Sequence, residues 1–257
     1  MIDLEAWLTG LLVLLVAGAL TWTVSAVQRN VTIVDTLWPL LFVLAALTYS
    51  MEVAEPGPRT TLVLALVAVW GLRLAGYLAW RNLGHAEDRR YAEIRRRNEP
   101  NFTLKSLYLI FGFQAVLAWL ISLPLLGAIG GAAPVGLLDS AGVALWFVGL
   151  AFEAGGDWQL ARFKADPANA GKVMDQGLWR YTRHPNYFGD FCVWWGLYLI
   201  ALSAGAWWSI AGPLLMSFLL LRFSGVTLLE KDIGERRPKY AEYVRRTNAF
   251  IPGPRKK

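Results

Sequence analysis

The chain has 257 residues, 56% of them hydrophobic, with a formal net charge of +6 and a single cysteine, Cys192. A mean hydropathy of +0.40 and 13 tryptophans speak against a water-soluble domain, and one cysteine excludes a disulfide-stapled scaffold. The basic residues fall between apolar stretches, so the charge reads as membrane topology, and no nucleic-acid partner is expected.

A helix needs roughly 20 mostly apolar residues to cross the hydrocarbon core. By that measure about seven stretches qualify, at 4–27, 32–50, 60–80, 106–129, 135–160, 187–203 and 207–229. The predicted fold is all-α: one polytopic membrane domain followed by a tail from 230 to 257. The first stretch opens on Asp3 and Glu5 and meets no Lys or Arg before Arg29. It therefore reads as a retained helix rather than a cleaved signal.

Loop charge alternates. Arg81, Arg89, Arg90, Arg95, Arg96, Arg97 and Lys105 crowd one segment. Arg162, Lys164, Lys172, Arg180 and Arg183 crowd the next, and the tail is basic from Lys231 onward. The intervening loops hold only Arg59. The positive-inside rule puts the basic segments and the C-terminus in the cytoplasm and the N-terminus outside. The tail itself reads as a short amphipathic helix carrying Tyr240 and Tyr243, ended by Pro252 and Pro254.

An ionisable side chain inside a span is expensive and usually marks function. Asp35, Arg73, Glu153, Asp157, Asp190 and Arg222 are such residues, and this topology puts all of them in the cytoplasmic half. Glu153 and Asp157 are four apart on one helical face. Taken singly, each could be a paired or snorkelling residue near a helix end. Taken together, they predict a polar cavity open to the cytosol, with apolar walls that admit a lipophilic substrate.

The densest motif is Gly177-Leu-Trp-Arg-Tyr-Thr-Arg-His-Pro-Asn-Tyr-Phe-Gly-Asp190. Pro185 suits a helix start, and Arg180 and Arg183 beside it suit an anion. Tyr181, His184, Asn186 and Tyr187 add hydrogen-bonding groups. A second cluster runs from Glu153 to Lys164, acidic toward the membrane and basic (Arg162, Lys164) toward water. Carboxylates there could accept from ribose hydroxyls or a carboxamide, and the cations could meet phosphate. A third, Val34-Asp-Thr-Leu-Trp-Pro39, puts Asp35 and Trp38 at the start of the second span. There is no Rossmann fingerprint, no Walker A, no hydrolase triad and no metal signature; His85 and His184 are the only histidines.

At these three pieces the chain resembles the steroid 5α-reductase superfamily, in its bacterial branch. The resemblance implies seven transmembrane helices in a bacterial inner membrane. It implies NADPH bound from the cytosolic side, and reduction of a C=C bond conjugated to a ketone in a lipophilic substrate, a Δ4-3-ketosteroid being the candidate. It puts Asp35 at a substrate-facing acidic position. Arg73, Asp157, Arg162, Asn186 and Arg222 fall on cofactor-contacting positions, and Glu153 and Glu230 on positions where the family carries other residues. The family's catalytic tyrosine on the third span aligns with Trp70, which is no proton donor; Tyr77 lies one or two turns away. A carboxyl in a partly apolar cavity can be held protonated. Asp35 is accordingly expected to polarise the ketone, directly or through a neighbour.

A second resemblance is to membrane methyltransferases of the isoprenylcysteine carboxyl methyltransferase type, through Arg183-His-Pro-x-Tyr-x-Gly189 and the tail tyrosines. It implies S-adenosylmethionine as cofactor. The third reading is a non-catalytic membrane scaffold, lipid-binding or transport protein, which accounts for the spans but not for the gathered acids and arginines.

Overall fold

A computed structural model of the chain describes residues 2–223 and 240–256. Glu230 lies outside them. The described residues are helical, without strands. The chain divides into two compact units, residues 1–135 with 201–211, and residues 136–200 with 212–257.

The first unit opens with α1 (Leu4–Gln28), α2 (Ile33–Met51) and α3 (Pro58–Asn82). Each matches an expected span to within two residues. α1 buries a stripe of small residues, Ala6, Gly10 and Gly18 among them, and exposes Leu4, Leu8, Leu12 and Leu20. This inverts a soluble helix: small side chains let neighbouring helices approach, and large apolar ones face lipid. An ideal Cβ at Gly10 would lie 2.6 Å from the Tyr49 ring of α2.

The fourth span differs from expectation. It starts earlier, with α5 (Phe102–Ser106), continues through a π-helical turn (Leu107–Gly112) into α6 (Phe113–Ile121), and breaks at Ser122. α7 (Leu123–Ile129) follows, with Pro124 at its start. Proline has no N–H to continue the ladder. The fully buried Ser122 hydroxyl sits 2.7 Å from the Tyr49 hydroxyl and donates to Trp119 O, so the break is tied into the core. Before it, α4 (Arg89–Asn98) forms inside the basic segment, where no helix is expected from hydropathy.

Arg59, the exception to the charge pattern, is 2% exposed. Its guanidinium donates to Ala133 O at 2.6 Å and Pro134 O at 2.8 Å. It is consumed as an internal cap for a turn and presents no free positive charge to the loop surface.

The second unit holds α8 (Leu137–Ala165), α9 (Pro185–Ser203, to Ile200), α10 (Ala211–Phe218, from Gly212) and α11 (Tyr240–Arg246). Asp139 caps α8 by accepting from Gly136 N–H at 2.8 Å. α8 and α9 meet along a glycine seam. An ideal Cβ at Gly142 would lie 2.6 Å from Gly196 O, and one at Gly149 2.6 Å from Gly189 O. Gly142, Gly149 and Gly156 recur every seven residues on one face, so the two backbones touch along several turns.

Among the described residues five helices are long and apolar enough to cross a membrane: 4–28, 33–51, 58–82, 102–121 and 137–165. α9 has the length, but its first turns carry Asn186, Tyr187 and Asp190, which lower its hydropathy. The last expected span is helical over Trp207–Arg222 and then passes beyond the described residues.

Candidate functional site

The expected acids and arginines divide between the units. Asp35, Trp38, Trp70, Arg73 and Tyr77 belong to the first; Glu153, Asp157, Arg162, Lys164, Arg180 to Asp190, and Arg222 belong to the second.

In the first unit Asp35 stands in the first turn of α2 and gathers partners from three directions. Arg90 Nη2 lies 3.0 Å from Oδ2 and Arg81 Nη2 3.3 Å from the same oxygen. Tyr91 donates its hydroxyl to Oδ1 at 2.6 Å. Two guanidinium groups and a phenol define an acceptor-only carboxylate. In this arrangement Asp35 accepts from all three partners. Tyr91 is buried, also hydrogen-bonds Gln114, and its phenol is pushed well above the ordinary tyrosine value by burial and then by the Asp35 charge. Arg90 bridges onward to Asp88, which caps α4. Glu87 holds Arg95 at 2.8 Å and accepts from Val31 N–H at 2.9 Å. Burial raises the Glu87 carboxyl, but the Arg95 and Val31 hydrogen bonds outweigh it and leave it below the ordinary glutamate value.

Deeper in this unit Trp38, Phe42 and Trp70 form an aromatic run, with centroids 5.1 Å and 5.8 Å apart. Trp70 is 0% exposed, a packed core indole. Tyr77 lies against Trp80 with a centroid distance of 6.1 Å. Arg73 is half-buried on α3.

In the second unit the glycine seam brings two polar pairs to one level. Glu153 and Asp157, 3% and 5% exposed, lie on α8; Asn186 and Asp190 open α9. Asn186 donates its amide to Asp157 Oδ1 at 3.2 Å. An ideal Cβ at Gly156 would lie 3.0 Å from Pro185 Cγ and 3.2 Å from Asn186 N, so the start of α9 packs closely on Gly156. Beyond the acids α8 turns basic. Arg162 lies over the Trp158 ring at 5.6 Å, and Arg162, Lys164 and Arg180 are exposed. His184 stacks on Tyr187, with centroids 5.6 Å apart and an interplanar angle of 6°. Tyr181 is exposed at 48%. Arg222 is exposed in a π-helical turn, Leu219–Phe223.

Arg183 does something else. It donates to Val244 O at 3.2 Å and Thr247 O at 2.8 Å, and its N–H donates to Asn248 O. Thr182 donates to Phe250 O, Arg255 pairs with Asp175 at 2.6 Å, and Phe250 packs on Phe188 and Phe191. Tyr243 donates to Trp179 O at 2.6 Å, and the Trp179 indole donates to Gly156 O at 3.0 Å. The tail is strapped over the motif loop, and one arginine expected to meet an anion serves as the buckle. No sequence signal links these partners, which stand about sixty residues apart. Among the described residues no group of His, Cys, Asp and Glu could hold a metal ion.

Residues 21–247 match the model of a family described as "Protein of unknown function (DUF1295)". An uncharacterized protein of the fission yeast Schizosaccharomyces pombe is 27% identical, over 96% of this chain and 79% of its own. No solved structure matches.

Proposed function

For a chain that belongs to the DUF1295 family, a steroid 5α-reductase-like family, we propose an NADPH-dependent membrane reductase that saturates a C=C bond conjugated to a ketone. The observation that carries this reading is the buried Glu153–Asp157 face on α8, with Asn186 donated onto Asp157 at the start of α9. Buried acceptors beside an amide suit the hydroxyl and carboxamide edges of a dinucleotide. The exposed Arg162, Lys164 and Arg180 further along suit its phosphates.

The residues fit the cofactor. Glu153, Asp157 and Asn186 would hold its hydroxyl and amide groups, and Arg162, Lys164, Arg180 and Arg222 its charges. When bound, it supplies a hydride. In the first unit, Asp35 orders Arg81, Arg90 and Tyr91, and polarisation of the ketone passes through a neighbour. A guanidinium carries five N–H donors, so Arg81 or Arg90 can hold Asp35 and still give a hydrogen bond to an oxygen that gains charge, while the single Tyr91 hydroxyl stays on Asp35. The reaction consumes one hydride and one proton, and the saturated ketone leaves. The proposed setting is a bacterial inner membrane with the basic segments in the cytoplasm.

The test is thermal unfolding of detergent-purified protein with NADPH and with S-adenosylmethionine, in parallel. A ligand at a hundred times its Kd stabilises by about 2.7 kcal/mol. A rise with NADPH alone supports the reductase and warrants assays with a Δ4-3-ketosteroid. A rise with S-adenosylmethionine alone rejects it in favour of methyl transfer.

A further inference from the structure

α4 is a short charged helix with two different faces. Its inner stripe is Tyr91 and Arg95, fixed to Asp35 and to Glu87, with Arg95 4.5 Å over the Phe102 ring. Its outer stripe is Arg89, Glu93, Arg96 and Arg97, spaced as one helical face. Arg96 and Arg97 both pair with Glu93, and their side chains stay 76% and 75% exposed. Arg89 is also exposed. Three arginines thus face outward against one carboxylate.

The setting of this stripe decides what it meets. α4 lies between the end of α3 and the start of α5, both parts of spans, so it sits at the level where helices leave the hydrocarbon. The segments that flank it in sequence expose Trp80, Leu83, Leu104 and Tyr108 at 61–78%. Exposed apolar and aromatic groups beside excess positive charge, at that depth, match an acyl chain capped by an anionic headgroup. A soluble polyanion would leave the apolar flank uncovered.

We infer that the outer face of α4 binds the headgroup of an anionic phospholipid, with Arg89, Arg96 and Arg97 on the phosphate and Leu83 and Leu104 against the chains. This inference is independent of the reductase reading.

The experiment is native mass spectrometry of delipidated full-length protein titrated with phosphatidylglycerol or phosphatidylcholine. It compares the natural chain with the triple variant R89Q/R96Q/R97Q. All three side chains are exposed, so the variant should keep its unfolding temperature, which is measured alongside. The expected result is a preference for phosphatidylglycerol of roughly tenfold or more that collapses toward unity in the variant, since each interfacial cation contributes several-fold. Equal binding of both lipids by the natural chain overturns the inference, as does a preference that survives in the variant. Competition by inorganic phosphate at equal concentration would mark a free-anion site and also overturn it. Competition by NADPH would assign the arginines to the cofactor's 2′-phosphate, with the same consequence.

Discussion

Tyr91 and Asp35 meet at 2.6 Å, phenol to carboxylate, and tie the arginine-rich loop helix α4 to the first turn of a membrane span. The same carboxylate carries Arg90 and Arg81. A hydrogen bond to a charged acceptor contributes more than a neutral one. Tyr91→Phe should therefore destabilise by roughly 1.5–3 kcal/mol in detergent unfolding. Asp35→Asn should cost more, because two guanidinium groups lose their anion. The double variant should fall short of the sum, since the groups act as one cluster. Additive losses would show that the phenol and the carboxylate do not cooperate. Under the proposed function, Asp35→Asn also loses most enone turnover; Asp35→Asn with full turnover would remove Asp35 from the mechanism.

Glu87 makes a pH prediction. Its folded-state carboxyl titrates below the ordinary value because Arg95 and the Val31 N–H outweigh burial. A depressed carboxyl contributes stability that is fully present above the unfolded value, near 4.3 for glutamate. That contribution is lost as pH falls through the lower, folded-state value. The acid limb of unfolding temperature against pH should therefore be shallower in Glu87→Gln, which is also less stable near neutrality. Parallel curves for the two proteins would mean that Glu87 is not the linked group.

The first three spans were legible because a membrane helix needs only a long apolar run, and α1, α2 and α3 end within two residues of where hydropathy stops. Helix α4 was not legible by that signal: Tyr91 and Ile94 are its only large apolar residues among charges. What marks it is Asp88, whose side chain accepts from Arg90 N–H at the helix start, and the stripe Tyr91, Arg95. The break at Ser122 was readable in principle from Pro124. Asp157 and Asn186 stand out in the sequence because charge and amide are costly beside apolar helices, and the structure joins them by a hydrogen bond. Arg183 was assigned to an anion since sequence shows its charge and neighbours, while its carbonyl partners lie 61 and 64 residues away.

The glycine seam predicts a sharp steric threshold. At Gly149 and Gly196 an added Cβ would run into backbone atoms of the opposite helix, and backbone cannot rotate away. Gly196→Leu or Gly149→Leu should cost about 3 kcal/mol or more, seen as loss of folded monodisperse protein. Gly76, on α3, has nothing within 4 Å of its Cβ position. Gly76→Ala should be neutral or stabilising by up to about 1 kcal/mol, as alanine favours a helix. If Gly149→Leu and Gly76→Ala behaved alike, backbone contact between α8 and α9 would not be what holds that unit.

The tail reaches the candidate site through one indole. Tyr243 donates to Trp179 O, Trp179 donates to Gly156 O, and Gly156 adjoins Asp157, which receives Asn186. The Tyr243 phenol is buried and titrates above its ordinary value, first because of that burial, so it stays a donor through the physiological range. Tyr243→Phe keeps the ring and leaves the Trp179 carbonyl without this donor, at a cost of roughly 1–3 kcal/mol. The relay adds a second expectation. With Trp179 released, Gly156 and the Asp157 carboxylate lose a fixed position, so NADPH should bind more weakly, while Tyr240→Phe, on the same short helix, should leave affinity unchanged. Titrating NADPH against the natural chain, Tyr243→Phe and Tyr240→Phe measures this directly. Equal affinities in all three would confine the tail to stability, whereas a loss in Tyr243→Phe alone would make the tail part of how the second unit holds its ligand.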